Sequence, residues 1–294
     1  MYEKMYANLH FHSTHSDGVD TPEDLVKIAK EEGYGALALA DHDTATGTDI
    51  IIEACKEAGL EYIAATEFST NEEIFGEGFH IVGFDFDKNE PKMCEYLQYL
   101  SEKTCHRTRT MLENGLKRGT LHDITWNEVV DENPGITYLC VDHVYAVMKK
   151  KGVITDSEYP AFHKNNFSYT IPYESPYDFR NPEDTIKVIK NAGGVAVLAH
   201  PCYKQMKFVP ELVKMGLGGI ESWHPDHSDE EAVAAEELAK KYNIYISGGT
   251  DHSGLMGGQY AFYADKPENP YYVPSLKYGV TEENFKKLKE RVLG

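Results

Sequence analysis

The sequence predicts an α/β protein, a parallel sheet or barrel interrupted once by a mainly helical insertion. Three observations carry that expectation. Short β-rich runs alternate with amphipathic helical stretches near both ends of the chain. The alternation stops between residues 88 and 181. Each strand run also ends in, or carries, a histidine or an acid, and the C-terminal ends of parallel strands are where such folds place their chemistry.

The elements follow in order. "YANLHFH" is the first strand run, and "TPEDLVKIAKEEGY" is the helix after it, with Thr21 to cap, Pro22 at the first helical position, and Leu25, Ile28 and Ala29 on one face. "GALALADHD" leads into the helical "TDIIIEACKEAG", and "LEYIAATEFST" and "GFHIVGFDF" read as the third and fourth strands. Beyond the insertion, "NPEDTIKVIKNAGG" precedes the strand "VAVLAHP", "VPELVKMG" precedes "LGGIESWHP", and "DEEAVAAEELAKKYN" precedes "IYISGGTDHSG". The helix "TEENFKKLKERVL" follows. Residues 88–181 offer helical patterns and no comparable strand run.

Bulk composition excludes several roles. The 294 residues carry a formal net charge of −19, which disfavours non-specific binding to long nucleic acid but allows a local cationic site for a small anion. Hydrophobic residues make up 41% and mean hydropathy is −0.49, with no run near the roughly 20 apolar residues of a membrane helix. The N-terminal "MYEKMYAN" lacks the apolar stretch of a signal peptide, and Cys55, Cys94, Cys105, Cys140 and Cys202 show no C-x-x-C spacing. A cytoplasmic protein with reduced thiols is the expectation.

The chemistry-bearing residues fall on the strand ends. His10 and His12, two apart, share one face of the first strand, and Asp17 follows in the loop. His42 ends the second strand and Glu67 the third; His80 lies in the fourth, and His200 ends the fifth. His224 follows the sixth, and Asp251 and His252 end the seventh. Any one of these could be an ordinary polar residue, but chance does not place them at every strand end. Imidazoles and carboxylates without thiolates suit Zn, Mn or Fe. The nine residues His10, His12, Asp17, His42, Glu67, His80, His200, Asp251 and His252 suffice for two or three ions if Glu67 bridges.

The motifs "NLHFHSTHSDG", "LADHDT", "ATEFS", "HIVGF", "AHP" and "GTDHSG", in that order, resemble the PHP (polymerase and histidinol phosphatase) family. The resemblance implies a distorted (β/α)7 TIM-like barrel around two or three metal ions, formed by residues 1–87 and 182–294, with residues 88–181 as a helical insertion that caps the site. It implies one ion held by His10, His12, Glu67 and Asp251, a second by Glu67, His80 and His200, and a third by Asp17, His42 and His252. Family members more often separate the last Asp and His by one residue, whereas Asp251 and His252 are adjacent. The insertion resembles that of a subgroup acting on small phosphate esters. "HRTR" supplies Arg107 and Arg109 to grip phosphate, and "CVDHVYAVMKKKG" keeps His143 but has Val141 where that subgroup has arginine.

The expected reaction is hydrolysis of a small phosphate ester, of nucleotide or sugar phosphate type or a cyclic phosphodiester, by hydroxide bridging the ions. Glu67 bridges, and His200 or His227 would protonate the leaving group. Arg107, Arg109, His143, His224 and His227 would contact the substrate. Competing readings are a histidinol-phosphate phosphatase, an amidohydrolase-type C–N hydrolase and a non-catalytic metal-binding module. The second would place its bridging group on the fourth strand, whereas Glu67 ends the third.

Overall fold

The structure, a computed structural model, describes residues 4–70, 76, 78–168, 170–178, 180–253 and 276–293. Its strands form two sheets and, among the described residues, no closed barrel. In the first, β1 (Ala7–Asn8), β2 (Ala36–Leu37) and β3 (Glu61–Tyr62) pair in parallel. The second runs β4 (Ala65–Ser69), β5 (His80–Phe84), β6 (Val195–Leu198), β7 (Gly219–Glu221) and β8 (Tyr245–Ser247). The run "LEYIAATEFST" is thus divided between the sheets, as β3 and β4. Backbone hydrogen bonds link the two sheets on both sides. Leu9 N–H donates to the Gly248 carbonyl (3.1 Å) and His12 N–H to that of His252 (2.8 Å); opposite, Glu67 N–H donates to the Ala40 carbonyl (3.2 Å).

The all-parallel expectation fails at β5, which is antiparallel to both β4 and β6. The reason is chain length. β4 ends at Ser69 and β5 begins at His80, too short a gap for the helical crossover of about a dozen residues that parallel strands require. One consequence reaches the site: His80 pairs with Ser69, so β5 brings its first residue to the edge where other strands bring their last.

Helices begin and end where their capping residues direct. In α1 (Pro22–Glu32) the Thr21 side chain accepts from Asp24 N–H, and Gly33 turns left-handed to satisfy the last carbonyls, as Gly59 does after α2 (Thr48–Ala58). The later helix Asp229–Tyr242 opens on a capping box of Ser228 and Glu231 and ends on Lys240 and Lys241, which oppose the negative end of its dipole. Between the two sheets lies a core of Ala7, Leu9, Ala36, Ala38, Ala40, Val82, Phe84, Val197 and Ala199, whose small residues let the strands approach closely.

From α3 (Pro91–Arg118) to the helix Tyr159–Asn166 the chain has no strand among the described residues. Met111, Leu112, Val144, Tyr145, Phe162 and Phe167 make a core of their own there. The first half of α3 belongs elsewhere: Met93, Tyr96 and Leu100 pack with Phe68, Ile81 and Ile186 of the sheet side. One 28-residue helix therefore joins the two cores rigidly. No helix among the described residues is long and apolar enough to cross a membrane.

Candidate metal centre

Glu67 sits near the centre of β4, almost fully buried, and its two carboxylate oxygens face different histidines. Oε2 lies 3.1 Å from His10 Nε2, 3.4 Å from His12 Nε2 and 3.2 Å from His42 Nδ1. Oε1 lies 2.8 Å from His80 Nδ1 and 3.0 Å from His200 Nε2. Five imidazoles from four strands converge on one carboxylate. Asp251 adds Oδ1 at 2.8 Å from His12 Nε2, and Asp17 places its two oxygens 3.6 Å from His12 Nδ1 and 3.7 Å from His42 Nε2.

Local backbone geometry aims these side chains. His10 and His12 continue β1 with Leu9 and Phe11 turned to opposite, apolar neighbours. His200 and Asp251 have positive φ, 27° and 48°, a conformation that non-glycine residues adopt at a cost and that turns each side chain out of its strand direction. Gly249 allows the approach of β1, since a Cβ there would fall 2.4 Å from His10 N.

Eight of the nine expected metal-type residues thus gather here. His252 lies apart from those clusters, with Nε2 3.1 Å from Asp20 Oδ2. The groups whose donor atoms lie close enough to share an ion are His10, His12, Glu67 and Asp251; His12, Asp17 and His42; His42, Glu67 and His80; and His10, Glu221 and His224. The third position expected of His252 is filled by His12 in this arrangement.

Glu221 was missed by the sequence reading, although it closes β7. The strand-end rule that selected the others selects it too. It is fully buried, its carboxylate 3.0 Å from His10 Nδ1, and it accepts from the His200 backbone N–H at 2.8 Å. Asp41, beside His42, ties down the loop before Asp17, accepting from Ser13 N–H, Ser13 Oγ and Ser16 Oγ.

The electrostatics fit a site for cations. Burial disfavours charge on His10, but Glu221, Glu67 and Asp251 outweigh it and raise its pKa well above the ordinary value. His12 and His200 are raised to about 9 against the same burial, by Asp17 and Asp251 for the first and by Glu67 for the second. Burial likewise opposes charge on Glu67, yet His42, His10 and His80 hold its pKa well below the usual carboxylate range. Protons here do what metal cations would do. His42 Nδ1 lies 3.2 Å from Glu67 Oε2 yet makes no hydrogen bond, and His12 Nδ1, His224 Nε2 and His227 Nε2 are also buried without a hydrogen-bond partner. Buried nitrogens of this kind are normally satisfied, so close packing without hydrogen-bond geometry fits lone pairs set to bind metal.

The expected substrate contacts are distributed unevenly. His224 joins the cluster, its Nε2 3.6 Å from Asp251 Oδ2. The His227 imidazole bonds the Ser222 carbonyl through Nδ1. His143 is buried against the loop before Asp17, with Nε2 3.3 Å from the Thr14 carbonyl; burial pulls its pKa down to about 4, so it is neutral at pH 7. Arg107 donates to the Phe167 carbonyl at 2.7 Å, and Arg109 pairs with Glu113 on an exposed face of α3.

Comparisons with known proteins agree with this site. A model of the PHP domain matches residues 8–142. The phosphoribosyl 1,2-cyclic phosphate 1,2-diphosphodiesterase of Eggerthella lenta is 28% identical, over 86% of this chain and 96% of its own length. A 5′-3′ exoribonuclease of Haemophilus influenzae is 31% identical, over 83% of this chain and 88% of its own length. A solved structure from Bifidobacterium adolescentis, assigned as a metal-dependent phosphoesterase, is 24% identical and superposes with a TM-score of 0.77, covering 100% of this chain and 99% of its own. Both the sequence matches and the polynuclear arrangement around Glu67 lead to one conclusion: the chain belongs to the PHP domain family of metal-dependent phosphoesterases.

Proposed function

We propose that this phosphoesterase hydrolyses a small phosphorylated metabolite or nucleotide at the cluster centred on Glu67, with a cyclic phosphate among the esters it accepts. The division of the Glu67 carboxylate supports the reading most directly: Oε2 serves His10, His12 and His42 while Oε1 serves His80 and His200. A carboxylate so shared is suited to bridge two ions. His10, His12, Glu67 and Asp251 would hold one, Glu67, His80 and His200 a second, and Asp17 with His42 and His12 a third. The nitrogen and oxygen donor set favours Mn, Fe or Zn. Bound ions would acidify water toward neutral pH and offset phosphate charge.

The rest of the work belongs to the chain. His227 donates from Nδ1 to the Ser222 carbonyl, and burial lowers its pKa, so its Nε2 presents an unprotonated lone pair. That arrangement suits a ligand or acceptor better than the proton donor suggested by sequence. His200 is committed through Nε2 to Glu67. The two sheets act as one barrel-like ring, and residues 88–181 cap it, held by α3. The Eggerthella relative, named for a cyclic phosphate, supports a small substrate. The Haemophilus relative is named for RNA, which favours a second reading in which the end of a short RNA enters the same site.

A panel of phosphomonoesters, cyclic phosphates and short RNAs, offered after loading with Mn, Fe or Zn, tests both. Release of phosphate from small esters supports the first reading. Cleavage of RNA alone replaces it with the second, and inactivity on the whole panel overturns both.

A further inference from the structure

We propose that His143 is a positioning residue: it fastens the helical insertion to the Asp17 loop and thereby sets the affinity of the ion at Asp17, His12 and His42. This rests on the metal-dependent reading above and adds to it how the insertion acts on the metal centre.

Asp17 is held differently from Glu67. The Glu67 side chain is 1% exposed and packed on a strand, whereas that of Asp17 is 24% exposed and stands on a loop. Packing does not fix its carboxylate, so the backbone between His12 and Gly18 has to. A ligand must be kept within about 0.5 Å of its productive place. From the sheet side, Asp41 accepts from Ser13 N–H and from the hydroxyls of Ser13 and Ser16. Gly18 N–H closes the loop onto the Ser13 carbonyl at 2.9 Å. The carbonyls of Thr14 and Ser16 are taken up from the other side, by the insertion.

His143 stands in the first turn of the helix Val141–Lys150 and is buried. Cys140 N–H donates to its Nδ1 at 3.1 Å, so Nδ1 carries the lone pair and the proton of the neutral ring is on Nε2. Nε2 donates to the Thr14 carbonyl at 3.3 Å. Both ring nitrogens are thus spent on backbone, one on each side of the boundary between insertion and sheets, and neither remains for a substrate. The buried Cys140 thiol donates to the Ser16 carbonyl at 3.5 Å, a second tie next to Asp17. The same stretch of the insertion reaches His42. The Tyr138 ring lies over the imidazole, centroids 6.3 Å apart at 26°, and Thr137 Oγ1 is 3.2 Å from Thr44 Oγ1. Residues 137–143 therefore brace both Asp17 and His42, with His143 as the direct bond to the loop.

The test counts bound ions and measures their affinities by elemental analysis and Mn titration of the full chain, with no ester present. His143→Leu, which fills the space but bonds neither partner, should weaken one ion by about tenfold and leave the others at wild-type affinity. His143→Gln, whose amide can accept from Cys140 N–H and donate to Thr14, should restore it. Asp17→Asn should weaken the same ion, and adding His143→Leu to it should cost nothing further, because both act at one ion. Should the leucine variant not fold, the wild-type chain gives an independent reading. Filling the Asp17 ion must slow hydrogen exchange at the amides of residues 140–143, by reciprocity, and Asp17→Asn must abolish the slowing. Unchanged affinities in His143→Leu, a loss spread equally over all ions, or exchange at residues 140–143 that ignores metal would each overturn the proposal. Inactivity on every ester with these metal results intact sinks the phosphoesterase reading alone.

Discussion

Glu221 and His10 form a buried pair in which the carboxylate, 3.0 Å from Nδ1, fixes which imidazole nitrogen faces the metal centre. With Nδ1–H donated to Glu221, the neutral imidazole that a metal binds keeps its lone pair on Nε2, the nitrogen beside Glu67 Oε2. Groups standing behind metal-binding histidines in this way set ligand tautomer and basicity. Glu221→Gln should therefore weaken binding of the ion at His10 by roughly 10- to 100-fold without removing a ligand. A metal titration of the variant, with metal content per chain, checks this.

Glu67→Gln removes the charge that both halves of the cluster share. It should lower metal content by at least one ion and cut activity by more than the roughly 100-fold typical of a group that only supports a ligand. Elemental analysis of purified protein, beside phosphate release, gives both numbers. Retention of full metal content would contradict a bridging carboxylate.

Metal uptake should release protons. In the metal-free protein His12 and His200, raised to about 9, are protonated at pH 7, and a metal binds only neutral imidazole. Apparent metal affinity should rise from pH 7 toward pH 9. Calorimetry in buffers of different ionisation enthalpy counts the protons set free.

The stability of metal-free protein carries the matching signature. A histidine whose pKa is raised on folding stabilises fully below its ordinary 6.5, and that contribution fades as pH climbs through about 9. Glu221, held near 2 by His10 against its burial, acts on the other side: its contribution is present above 4.5 and is lost as pH falls toward 2. Urea unfolding of the metal-free protein should thus show greatest stability between about pH 4.5 and 6.5, with a decline through pH 9 that saturating metal abolishes.

Gly249→Ala tests the close approach of β1 to the chain beyond β8. The added Cβ would meet His10 N at 2.4 Å and His10 Cβ at 2.5 Å, all of it at the root of a candidate ligand. Crowding of this kind costs about 1–3 kcal/mol and should displace His10. Lower thermal stability together with lower metal affinity is the expected result; a stability loss with unchanged affinity would mean His10 does not move.

The sequence determined which residues could meet, because strand-end position is a local property. The period-two spacing of His10 and His12, the capped helices between strands and the acid within "ATEFS" are all visible without coordinates. Whether they do meet was decided by tertiary structure. The antiparallel turn at β5 brings His80 to the site by its N-terminal end, and no periodicity distinguishes that strand from its parallel neighbours. Glu221 could have been found by its strand end, but its role depends on lying behind His10, 211 residues away. His252 shows the opposite case, a ligand-type side chain that the fold turns toward Asp20. The physical reason is range: hydrogen-bonded turns and side-chain alternation act over a few residues, whereas the charge balance around Glu67 depends on strands that only the packed core holds together.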